Sequence, residues 1–270
     1  MLLLTTKLSI PPVRPSHVQR VELIHRLDRL REYRLALIVA SAGYGKTALV
    51  SEWIAQSQSK VAWFSIDASD NDPVRFWDYV IAAIQTACPE VGEQTLTLLH
   101  EPQPLPIETI LSTLINELSE LPDLLALVLD DYHVIEAASI HEGLAFLVEH
   151  LPSQMRLIMT TRTDPPLPLA RMRVRSQLLE LRSADLRFSP PQIATFFTEV
   201  MGLALTTAEV MTLDKRVEGW IAGLQLAGLA LQGKRDPAEF IASFAGDHHY
   251  VLDYLGDEIL DHQPEAMQQF

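Results

Sequence analysis

Ala40-Ser41-Ala42-Gly43-Tyr44-Gly45-Lys46-Thr47 stands between the apolar run Leu35-Ala36-Leu37-Ile38-Val39 and a segment in which Leu49, Val50, Trp53 and Ile54 recur on one helical side. Strand, glycine-containing turn ending in Lys-Thr, and helix is the layout of a phosphate-binding loop. Backbone N–H groups of Gly43, Tyr44, Gly45 and Ala48, together with the helix start, would face the β- and γ-phosphates of a nucleotide. Lys46 would neutralise charge between them, and the Thr47 hydroxyl would ligate Mg²⁺. The usual pattern has Gly where Ala40 stands. Ala disfavours positive φ, so the loop must turn at Ala40 without a left-handed residue or lean on Gly43. A glycine turn at a helix start that binds nothing is the competing reading of these eight residues.

Outward from the loop, Leu124 to Leu129 forms an apolar strand that ends in Asp130-Asp131. Delivered beside a phosphate loop, two such acids take different roles: Asp130 holds Mg²⁺ through its water shell, and Asp131 polarises the attacking water. Where an extra strand separates the two motifs, Glu commonly fills the second role. Asp is shorter by one methylene, so slow hydrolysis is expected. Leu157-Ile158-Met159-Thr160-Thr161 reads as a further strand, after which the Arg162 guanidinium could meet a γ-phosphate from the side opposite Lys46, or simply be solvated. Arg171, Arg173 and Arg175 form an alternating basic strip, read as structural, as is His133. Trp220 reads as helical core.

With Val61 to Ile66 and Leu178 to Leu181, the aliphatic runs alternate with amphipathic helices, for example on Phe76, Val80 and Ile84 or on Ile107, Ile110, Leu111, Leu114 and Leu118. Strands apolar on both faces imply an α/β fold, a parallel sheet with helices on each face. Beyond residue 185 the pattern is wholly helical; Ser189 and Pro190 open one helix and Gly202 can close it. The expected organisation is an arm and helix over 1–34, a nucleotide-binding domain over 35–185 and a smaller all-α domain over 186–270. A helical pattern starting at Pro264 is still open at Phe270, so the chain is expected to continue.

Composition narrows the function classes. Asp and Glu number 35 against 21 Lys and Arg, a net charge of −14, which opposes attraction to DNA phosphates or anionic membranes. No apolar run approaches a membrane span and no basic leader precedes one, so a cytoplasmic location is expected. The single cysteine, Cys88, excludes an internal disulfide and reads as a core filler. His248-His249 has no partners at metal spacing.

The ordered series Ala42-Gly43-Tyr44-Gly45-Lys46-Thr47, Leu129-Asp130-Asp131-Tyr132-His133, Thr161-Arg162-Thr163-Asp164-Pro165-Pro166 and Glu218-Gly219-Trp220-Ile221-Ala222-Gly223-Leu224-Gln225 resembles the nucleotide-binding module of MalT-type LuxR-family transcriptional regulators. These belong to the signal-transduction ATPases with numerous domains (STAND). The resemblance implies a P-loop NTPase fold and an ATP/ADP switch: ADP holds a closed monomer, and inducer plus ATP permits opening and self-association. It further implies that Val18-Gln19-Arg20 lies against adenine, with Val18 and Arg20 as cofactor-binding residues. Gln225 stands where related modules carry Pro near the base. Inducer and DNA would be met by modules outside this segment. Two other classes remain open: a metabolic kinase using the same loop to phosphorylate a small acceptor, and a nucleotide-free interaction scaffold.

Overall fold

The computed structural model describes residues 3–232 and residue 241. The helical pattern read from Pro264 and the pair His248-His249 fall outside them. The chain divides into two compact units. Among the described residues, one takes in those before Arg14, Val21–Val39 and Thr47–Arg182; the other takes in Arg14–Arg20, Ala40–Lys46 and those from Ser183 on.

The first unit is built on β1 (Leu35–Val39), β2 (Lys60–Ser65), β3 (Leu125–Asp130), β4 (Met155–Thr161) and β5 (Leu178–Arg182), all parallel, in the order β2-β3-β4-β1-β5. Every residue of β1 and β3 is buried, as expected where helices cover both faces of a sheet. Its helices are α1 (Val21–Asp28), α2 (Lys46–Gln56), α3 (Pro73–Ala87), α4 (Glu93–Leu99), α5 (Ile107–Ser119), α6 (Ala138–Glu149) and α7 (Leu169–Val174). Pro73 sits in the first turn of α3, where its missing N–H costs nothing, and Asp72 caps that turn by accepting from the Arg75 N–H. Leu114, Leu118, Leu127, Leu144 and Leu157 are fully buried in one continuous core; each contributes about 1.5–3 kcal/mol on burial. Cys88 lies in the same core.

Register fixes what the sheet presents. Val39 aligns with Thr161 and Arg182, and Ser65 with Asp130. The phosphate-loop strand and the acid-bearing strand are separated by β4, an order that the sequence reading did not assign. Their carboxyl ends carry Asp130, Thr160 and Thr161, the edge at which open α/β sheets place their ligands. The N-terminal arm lies against this unit through Lys7. Its amine meets Asp70 at 2.5 Å and Asp67 at 2.7 Å and stands 4.9 Å from the Tyr79 ring centroid, which compensates the fully buried Asp70.

The second unit carries α8 (Ser183–Leu186), α9 (Pro190–Thr195), α10 (Thr207–Val217) and α11 (Ile221–Leu231). The pattern read from Ser189 continues past α9 as a π-helical turn over Phe196–Val200, and Gly202 ends it at φ +67°. Between α10 and α11, Glu218 (φ 48°) and Gly219 (φ 69°) turn the chain with two left-handed residues in succession. Gly219 is required there: a Cβ would lie 2.4 Å from the Phe188 carbonyl oxygen, while the Phe188 N–H donates to the Gly219 carbonyl at 2.9 Å.

Candidate nucleotide-binding site

Within the first unit, two hydroxyls converge on one carboxylate. The Thr47 hydroxyl donates to Asp130 at 3.0 Å and 3.1 Å to its two oxygens, and the Thr160 hydroxyl donates to Oδ1 at 2.6 Å. Thr160 also accepts from the Asp131 N–H at 2.9 Å, so one buried hydroxyl from β4 orients the first acid and fixes the backbone of the second. Asp131 is left-handed at φ 59°, a conformation Asp tolerates better than most side chains. The turn leaves its side chain half-exposed, 3.7 Å from His133. Arg162 follows the last residue of β4 and is half-buried.

The hydroxyl of Thr47 and the carboxylate of Asp130 are hard oxygen donors in contact, a pair suited to Mg²⁺. Among the described residues no three His, Cys, Asp or Glu side chains form a metal cage. That donor set fits a cation which takes few protein ligands and relies on water and substrate phosphates, rather than a structural metal.

Within the second unit, Gly43 and Gly45 take φ values of 74° and 76°. Ala40 is not among the positive-φ residues, so the loop turns at the glycines and tolerates Ala at its start. Lys46 is buried, its amine donating to the carbonyls of Ala40 at 2.9 Å and Ser41 at 3.1 Å. Tyr44 is half-buried and Ala48, across in the first unit, is exposed. Val18 and Gln19 line a cleft of about 460 Å³ together with His17, Gln192 and Thr195. Arg20 does not line it. Its guanidinium donates to the carbonyls of Asp185, Leu186 and Arg187 and stacks 4.4 Å from the Phe188 ring centroid, so it pins the arm that shapes the cleft.

Trp220 packs against the helical core, as the sequence reading has it, and is half-buried; its indole N–H in addition donates to the Ala42 carbonyl at 3.0 Å. The basic strip keeps the structural role read for it from the sequence. Arg171 and Arg173 lie on a helix, where residues two apart point to different sides, and they pair separately with Glu149 and Glu180. The Glu180 carboxyl is held down to about 2, first by the hydrogen bond from Arg173 and then by Arg182, against a desolvation that raises it.

A MalT transcriptional regulator of Yersinia enterocolitica is 39% identical over 262 residues, covering 96% of this chain and 29% of the relative. This chain is similar to the N-terminal region of MalT-like regulators. It spans under a third of the length of such relatives. Among solved structures, a Walker-type ATPase of Pyrococcus abyssi superposes with a TM-score of 0.62 at 16% identity, over 97% of this chain and 79% of that one. A STAND protein with a tetratricopeptide repeat sensor from Pyrococcus horikoshii gives 0.57 at 15%, over 95% and 34%. The fold is therefore of the STAND P-loop ATPase kind. No family model matches the chain.

Proposed function

We propose that the chain is the ATP/ADP-binding switch module of a signal-responsive transcriptional activator, acting in the cytoplasm, with slow hydrolysis controlling self-association. The observation that carries this reading is the pairing of Thr47 with Asp130 directly after the Gly43–Lys46 loop. Lys46, with the loop amides of Gly43, Tyr44, Gly45 and Ala48, binds phosphate oxygens; Val18 contributes to the base cleft. Mg²⁺, when bound, supplies charge neutralisation at the phosphates, and Thr47 and Asp130 are the residues that would hold it. Asp131 orients water, and its half-exposed carboxylate on a left-handed turn is consistent with that role. Arg162 distinguishes ATP from ADP by pairing with the γ-phosphate.

The reading is tested by phosphate release under saturating ATP. Wild type turns over slowly, and Asp131→Asn lowers the rate at least about tenfold while nucleotide affinity is kept. Asn accepts the same left-handed backbone, so the variant removes charge without straining the turn. An unchanged rate in Asp131→Asn refutes the assignment.

A further inference from the structure

The first turn of α11 has an unusual partner. A helix start leaves N–H groups without intrahelical acceptors, and Trp220, at the N-cap of α11, makes no side-chain bond to its own helix. The need is met by the phosphate loop: the Ala222 N–H donates to the Gly43 carbonyl at 3.1 Å. One residue earlier in the loop, the Ala42 carbonyl accepts from the Trp220 indole. Two consecutive loop carbonyls are thus held by donors from one helix start.

The surrounding residues are shaped for this. Glu218 and Gly219, both left-handed, end α10 and aim Trp220 at the loop. At Gly223 a Cβ would lie 2.6 Å from the indole ring, so glycine leaves the room the ring takes beside α11. Ile221 is 3.7 Å from where a Cβ on Gly45 would stand, in ordinary contact with the loop's second left-handed glycine. All these residues belong to the second unit.

We propose that Trp220 is a positioning residue for nucleotide binding: with the Ala222 N–H it holds the Ala42 and Gly43 carbonyls, setting the peptide orientations of the phosphate loop and tying them to the start of α11. Since each peptide plane carries its carbonyl and the next amide in opposite directions, fixing the two carbonyls also fixes the amides of Gly43 and Tyr44. The loop in turn caps α11. A change in the loop on gaining or losing phosphate therefore alters the helix start, which couples nucleotide state to the helical segment.

The inference rests on the nucleotide-binding reading, and one set of measurements separates the two. Trp53, Trp63 and Trp77 are buried elsewhere, so a 5-fluorotryptophan-labelled chain gives four fluorine resonances, with Trp220 identified by its loss in Trp220→Phe. Adding ADP shifts the Trp220 resonance. Trp220→Phe keeps the ring, loses the donor and weakens ADP about five- to tenfold at an unchanged urea midpoint. Ala222→Pro deletes the second donor at a first-turn position that accepts Pro, and gives a similar loss. An unmoved Trp220 resonance, wild-type affinity in both variants, or losses that only follow a lowered urea midpoint overturn the proposal. If wild type binds ADP and Lys46→Ala weakens it while Trp220→Phe does not, this inference alone fails. If wild type binds no nucleotide, the underlying reading fails with it.

Discussion

Thr160 joins two functions in one hydroxyl: it donates to Asp130 and accepts from the Asp131 N–H. Thr160→Val keeps the shape and removes both bonds, leaving a partly buried backbone donor to find water, at a cost of about 1 kcal/mol. Its expected signature is a lowered denaturation midpoint together with weaker Mg²⁺ dependence of ATP affinity. Unaltered stability and Mg²⁺ response would remove Thr160 from the account. The acids were legible as a motif, but Thr160 was not, because its role depends on pairing β3 beside β4. A polar Thr-Thr pair ending an aliphatic strand was the available signal. Arg20 has partners that no local pattern announces: its guanidinium donates to carbonyls some 165 residues away in sequence.

Elements with long, strongly periodic apolar patterns were legible nearly to their ends: β1 is found as read, and β3 and β5 are displaced or extended by one residue. Helix α4 was missed. It is seven residues long, and its start is capped from a distance, with Glu117 of α5 accepting from the Gly92 N–H at 2.7 Å. Such a partner leaves no local sequence trace. On β5, the Glu180 pairings with Arg173 and Arg182 give a pH signature. The ordinary value of 4.5 falls to about 2 in the folded chain. A depressed acid adds stability that is present above pH 4.5 and is lost as pH falls toward 2. Glu180→Gln should therefore narrow the stability gap to wild type as pH is lowered through that window, followed by urea unfolding. A gap independent of pH would show that the pairings contribute nothing through ionisation.

For the whole molecule, the parts that the proposals assign to phosphate are distributed along the sequence: the loop at 40–47, the acids at 130–131, Arg162, and the α11 start at 220–222. No helix among the described residues is long and apolar enough to cross a membrane. The net charge of −14 repels polyanions, yet the motif concentrates one buried lysine and a set of backbone amides on the phosphate loop. Local donors against an acidic background favour a small anion chelated with a cation over a long polyanion. The most direct measurement is titration of the 270-residue chain with a fluorescent ATP analogue, with and without Mg²⁺, in wild type and Lys46→Ala. The account predicts saturable, Mg²⁺-strengthened binding by wild type and at least about a tenfold loss in Lys46→Ala. Equal affinity in the two proteins, or no binding by wild type, would contradict it.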